Sequence, residues 1–166
     1  TNKLENINKI LLFGDSLMSG YGLKEDQTLS IILENDLKDA GYNFKVINGS
    51  IPGDTSEDGL DRIEEYTSRD DIDLIVLGLG ANDMLRRINP DQTKSNLRKI
   101  IEIIKTKNID IILAGMKASP TNGLAYKKKF DDIFPELAEE YDLTLIPFLL
   151  KKVALNPKLN QSDGIH

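Results

Sequence analysis

Short blocks rich in Val, Ile and Leu recur along the chain, separated by stretches with helical spacing. That alternation constrains the fold more than any single motif. The blocks are Ile7–Phe13, Phe44–Asn48, Asp73–Leu79, Ile109–Ala114 and Leu143–Ile146, and they read as strands buried on both faces. Between the first two, Leu29, Ile32, Leu33 and Leu37 mark a helical face that Gly41 ends. Thr55 or Ser56 is a candidate cap for a second helix, with Leu60, Ile63 and Tyr66 facing the core. Asn89 and Pro90 supply cap and first-turn signals for a third, whose face is Leu97, Ile100, Ile101 and Ile104. Tyr126, Phe130, Phe134, Leu137 and Tyr141 mark a fourth, which Pro135 is expected to kink or divide. Strand and helix alternating in this way predict an α/β fold with a parallel sheet covered on both faces. With no repeat, low-complexity tract or linker, residues 1–166 read as a single domain.

In open parallel sheets, ligands bind beyond the carboxyl ends of the strands. Chemistry-bearing residues fall there: Ser16 after the first block, Gly53 after the second, Asn82 after the third, and Asp163 with His166 after the fifth. A serine hydroxyl becomes a useful nucleophile when a general base, itself oriented by a third group, takes its proton. The chain has one histidine, His166, in Ser162-Asp163-Gly164-Ile165-His166. A turn at Gly164 would fold the Asp163 carboxylate back to Nδ1, leaving Nε2 for the serine. Acyl transfer also needs donors aimed at the developing oxyanion. Asn48–Asp54 offers backbone N–H groups in a glycine-flanked loop, and Gly78–Asp83 offers the amide of Asn82. Each feature has a plainer reading: a strand-end turn around Ser16, a strand-to-helix turn at Gly53, an Asn82 that caps the next turn, a surface turn at Asp163, a chain end at His166. Gly78 and Gly80 lack the full dinucleotide-binding glycine pattern and suit close packing at the strand end.

Composition narrows the function classes. A formal net charge of −6 argues against nucleic acid as a partner, because no basic surplus exists to neutralise phosphates. With no cysteine, thiolate nucleophiles, disulfides and Cys-based metal sites are excluded. No apolar run approaches the length of a membrane span. Without a charged-then-apolar leader, the chain is expected to be a soluble protein, either cytoplasmic or a periplasmic or secreted form whose signal has been removed.

The motifs also carry a resemblance. GDSLMSGYG is similar to the first block of the GDSL, or SGNH, hydrolases; Gly53 in IPGDTS fits the second, Asn82 in GAND the third, and DGIH the last. The blocks come in family order, and the likeness covers nearly the whole chain. GYGL after the serine, GDT after Gly53's proline, LAGM at Leu113–Met116 and PFLL at Pro147–Leu150 resemble the bacterial thioesterase I/lysophospholipase L1/arylesterase branch. The resemblance implies a three-layer α/β/α sandwich with a five-stranded, flavodoxin-like parallel sheet. It implies cofactor-free and metal-free hydrolysis of small acyl esters and thioesters. Ser16 would be the nucleophile, His166 the base and then acid, and Asp163 its orienter. The N–H groups of Ser16 and Gly53 and the amide of Asn82 would form the oxyanion hole. Asp15 would hold the nucleophile turn by hydrogen bonding to backbone, and Met84, Leu85 and Ile88 would border the acyl site. A monomer is expected.

Two departures from that family's pattern stand out. Relatives usually continue past the histidine into a proline-containing turn and a final helix, so the natural protein is expected to extend beyond His166, with that helix missing here. Met18 stands where the branch often has a small polar residue, and is expected to alter pocket shape rather than chemistry. The competing readings are a catalytically impaired binding domain with the same fold, and a phosphate-handling, flavodoxin-like module using Asp15 and Lys117. The latter leaves Ser16, Asp163 and His166 without a purpose.

Overall fold

The first apolar block forms β1 (Lys9–Gly14), buried from Ile10 to Gly14. The structure, a computed structural model, describes residues 9–15, 35, 45–69 and 71–146. The other blocks form β2 (Lys45–Asn48), β3 (Leu74–Gly78), β4 (Asp110–Ala114) and β5 (Thr144–Ile146). All neighbours pair in parallel, in the order β2-β1-β3-β4-β5. From β1 the chain steps outward to β2 and then back across to β3, so the winding reverses between β1 and β3. Such a reversal is where doubly wound sheets open a crevice for ligands. Gly14 stands opposite Gly78 there, so the two strands end level with each other.

Burial on both faces holds for β1 and β3 and fails for β2 and β5, whose residues are half-buried or exposed. The reason is position: these are the sheet's edges, with a hydrogen-bonded neighbour on one side only. On one face, Leu11, Phe13, Ile75, Leu77 and Leu113 join Ile63, Leu97, Ile100, Ile104, Phe130 and Phe134 in a continuous core. Each fully buried Leu or Ile contributes about 1.5–3 kcal/mol relative to exposure. On the opposite face Ile10, Leu12, Leu74 and Val76 are buried too, so the sheet is covered on both sides.

Helix α1 (Ser56–Thr67) starts at Thr55 with a reciprocal capping box. The Thr55 hydroxyl accepts from the Asp58 N–H (3.3 Å), and the Asp58 carboxylate accepts from the Thr55 N–H (3.0 Å). Its mid-helix Gly59 admits close approach to the sheet, since a Cβ there would lie 2.3 Å from Leu79 Cδ1. A short α2 (Ala81–Leu85) follows β3, and α3 (Pro90–Thr106) follows with Asn89 as cap and Pro90 in its first turn. Helix α4 (Leu124–Tyr141) runs unbroken through Pro135, against the expectation of a division. Proline removes one helical hydrogen bond and costs about 3 kcal/mol. Phe130, Ile133, Phe134 and Leu137, buried on both sides of it, offset that cost by packing on the core. The helix expected around Leu29–Leu37 lies outside the described residues, apart from helical Asn35.

Candidate active site

At the end of β1, Asp15 is completely buried. Ser16, Met18, Asp163 and His166 lie outside the described residues. The structure does place Gly53, Asn82, Met84, Leu85 and Ile88, and it brings the first two together.

The loop leaving β2 is tied to β1. Leu12's carbonyl accepts from the Gly49 N–H (2.9 Å) and the Ser50 hydroxyl (3.1 Å), and Gly14's carbonyl accepts from the Ile51 N–H (3.2 Å). The loop then turns outward, with Ile51, Pro52 and Gly53 exposed. Gly53 has φ +86°, a left-handed conformation that glycine adopts without a side-chain penalty. Next to it, the carbonyl of Asp54 accepts from Nδ2 of Asn82 at 3.0 Å. Because a carbonyl can only accept, this contact fixes which end of the Asn82 amide is nitrogen. One N–H is thereby held by Asp54, and the expectation of an oxyanion donor falls on the second. Asn82 does not cap the helix that carries it: Gly80 occupies the cap position, at φ +130°, and Asn82 lies one residue inside α2. Gly80 bears out the close-packing reading of its motif, since a Cβ there would meet the Phe134 ring at 3.2 Å.

The neighbour of Asn82, Asp83, is completely buried and anchors α2. Its carboxylate accepts from the Ser56 N–H (2.7 Å), the Ser56 hydroxyl (2.6 Å) and the Thr93 hydroxyl (2.8 Å). Asn96 donates from Nδ2 to the Ser56 hydroxyl oxygen (3.1 Å), and Gln92 donates to Asn96 (3.1 Å). An anion at the first turn of α1 also faces the positive end of that helix. Asp83 thus fastens the helix bearing Asn82 to the helix that begins three residues after Gly53. The sequence reading gave no role to Asp83 or Arg62, and took Ser56 only as an alternative to Thr55 for the helix cap. A signal existed for part of this set, because Thr93 and Asn96 are polar residues on the stripe that continues as Leu97, Ile100, Ile101 and Ile104.

Among the residues expected at the acyl site, Met84 is half-buried against the core and Leu85 is 71% exposed. Ile88 is half-buried; its carbonyl accepts from the Tyr126 hydroxyl at 2.7 Å. Burial, and secondarily the charge of Asp83, push the Tyr126 hydroxyl pKa above its ordinary value. A cleft of about 530 Å³ lies elsewhere, between the later turns of α1 and α3, lined by Leu60, Glu64, Lys99, Glu102 and Ile103. None of the predicted site residues lines it. Among the described residues no helix is long and apolar enough to cross a membrane.

The ends of β1 and β3 stand level at the winding reversal, and the Asn82 amide that follows β3 is bound to the loop that carries Gly53. The sequence profile of the GDSL-like Lipase/Acylhydrolase family matches residues 12–166. An arylesterase of Vibrio mimicus is 37% identical over 158 residues, covering 95% of this chain and 79% of that protein. Thioesterase 1/protease 1/lysophospholipase L1 of Escherichia coli (strain K12) is 34% identical over 157 residues, covering 95% of this chain and 74% of that protein. Among solved structures, AlinE4, an SGNH-hydrolase family esterase, superposes with a TM-score of 0.89 at 41% identity, covering 96% of this chain and 86% of that one. The chain belongs to the GDSL-like lipase/acylhydrolase family, with its α/β/α fold. It is accordingly a hydrolase of carboxylic ester or thioester bonds. No relative or neighbour named above is a phosphate-handling, flavodoxin-like module.

Proposed function

We propose that the chain hydrolyses small acyl esters or thioesters through an acyl-enzyme on Ser16. In this reading the Ser16 hydroxyl attacks the acyl carbonyl while His166 takes its proton, and Asp163 holds the imidazole in the required tautomer. The carbonyl oxygen becomes an oxyanion, which the N–H groups of Ser16 and Gly53 and the second N–H of Asn82 stabilise. Collapse expels the alcohol or thiol, protonated by His166. Water, deprotonated by the same imidazole, then attacks the acyl-enzyme, and the acid leaves with Ser16 restored. The observation that carries the reading is the Asn82 amide bound through one hydrogen to the Asp54 carbonyl, beside Gly53. An amide so anchored meets an oxyanion without reorganising, and preorganisation is what makes such donors effective.

Met84, Leu85 and Ile88 are assigned to the acyl-binding wall. The exposure of Leu85 supports this, since a large apolar side chain facing solvent beside Asn82 has surface to offer a hydrocarbon chain. The catalytic unit is read as a single domain over residues 1–166 and as a monomer, which sedimentation of the purified protein checks. Initial rates on p-nitrophenyl esters of increasing chain length test the substrate assignment. Ser16→Ala removes nearly all turnover on each ester. Full activity in that variant refutes the acyl-enzyme, and cleavage of acetate alone refutes the acyl-binding wall.

A further inference from the structure

Arg62 projects from α1 into the gap where the β1 and β2 ends meet the Gly53 loop. Its side chain is only 12% exposed and engages three residues, one at the end of β1 and two on the loop that follows β2. Nε donates to the Asp54 carboxylate (2.6 Å), Nη1 donates to the Gly49 carbonyl, and Nη2 donates to the Gly14 carbonyl (3.3 Å). The guanidinium carbon lies 4.1 Å from the centre of the Phe13 ring, a cation–π contact with the residue before Gly14. Each partner adjoins the proposed site. Gly14 lies two residues before Ser16, Gly49 opens the loop, and Asp54 follows Gly53 directly while its carbonyl holds Asn82.

Among the described residues nothing lies within 4 Å of where a Cβ of Gly53 would be, and the Gly53 carbonyl accepts from the Arg86 guanidinium at 3.5 Å. The loop's position is set by this bond and those on either side. Asp54 is held twice, by Arg62 through its carboxylate and by Asn82 through its carbonyl. We propose that Arg62 is a positioning residue for catalysis: its three-way fork ties the end of β1 to the loop that presents the N–H of Gly53 and, through Asp54, to the amide of Asn82. This inference rests on the oxyanion assignment above. A planar guanidinium presents donors in fixed directions, whereas a lysine ammonium is a point donor on a flexible stem and cannot reproduce the set. Oxyanion donors act in the transition state, so their misalignment lowers kcat and leaves KM nearly unchanged.

The test compares Arg62→Lys, Arg62→Ala and Asn82→Ala with the parent protein in steady-state hydrolysis of p-nitrophenyl butyrate, with thermal unfolding followed in parallel. Both Arg62 variants are expected to lose about tenfold to a hundredfold in kcat, the scale of a misplacement near 1 Å, with KM within about threefold. Millimolar guanidinium restores part of the kcat of Arg62→Ala and none of that of Asn82→Ala. Should Arg62→Ala fail to fold, Arg62→Lys decides. A folded Arg62→Lys with parental kcat, alongside an impaired Asn82→Ala, overturns the role of Arg62 and leaves the oxyanion hole standing. Parental kcat in Asn82→Ala overturns the oxyanion assignment and this inference together. A rate loss accounted for entirely by the unfolded fraction also overturns it, because Arg62 would then act on stability alone.

Discussion

Replacing Asp83 with alanine removes the acceptor of three hydrogen bonds in a place closed to water. The donors left behind are the Ser56 N–H and the hydroxyls of Ser56 and Thr93, all completely buried. An unsatisfied buried donor costs about 1–3 kcal/mol, which sets an upper range for the three together. Two effects reduce it: the hydroxyls can turn toward other acceptors, and the variant no longer buries a carboxylate. The expected loss is therefore about 3–5 kcal/mol, toward the low end of the roughly 3–9 kcal/mol for three such donors. For a chain of this size that lowers Tm by roughly 6–20 °C. Asp83→Asn keeps an oxygen for the Ser56 N–H and places an NH₂ where the Thr93 hydroxyl can accept instead of donating, so about half the loss is expected. Thermal and urea unfolding of both variants at neutral pH measure the effect. A Tm for Asp83→Ala within about 3 °C of the parent refutes the reasoning, as does an Asn variant as damaged as the Ala variant.

Asn82→Ala is expected to lower kcat by about 10²–10³-fold while Tm changes little, measured by initial rates on p-nitrophenyl esters. Gly80→Ala puts a side chain on a backbone at φ +130° and against Phe134, and is expected to destabilise by about 1–3 kcal/mol in urea unfolding. Asp71 accepts from Lys9 and Arg69, and these contacts lower its carboxyl pKa to about 2. Its contribution is complete above the ordinary carboxylate range and is lost as pH falls through about 2, so Asp71→Asn is expected to flatten the fall in Tm between about pH 4 and pH 2. High salt should shrink that difference, because the partners are exposed.

The strands were legible because a parallel sheet demands branched aliphatics in short runs, and Asn89-Pro90 announced α3 because capping is a local property. What burial on both faces missed was which strands are edges, since strand order is set by crossovers and not by any one block. Pro135 does not divide its helix for a related reason: its local penalty is visible in sequence, whereas the packing that outweighs it involves the distant core. Gly53 and Asn82 could be picked out by their place after strands. Their supports could not, because Asp83 meets Ser56 across 27 positions and Arg62 meets Gly14 across 48. Polar pairing of that kind leaves no periodicity; the one trace was Thr93 and Asn96 interrupting an apolar stripe. The nucleophile and its base fall outside the described residues, so for Ser16, Asp163 and His166 the motif spacing remains the argument.

The Gly53 turn hangs on polar tethers, while the sheet beneath it is held by aliphatic packing. Tethers of that sort open individually, whereas a packed interior melts as a unit. Warming should therefore slacken the rim first, so that turnover fades at temperatures where circular dichroism still reports an intact sheet. Amide protons of Gly53 and Asp54 would exchange with solvent long before that of Leu77.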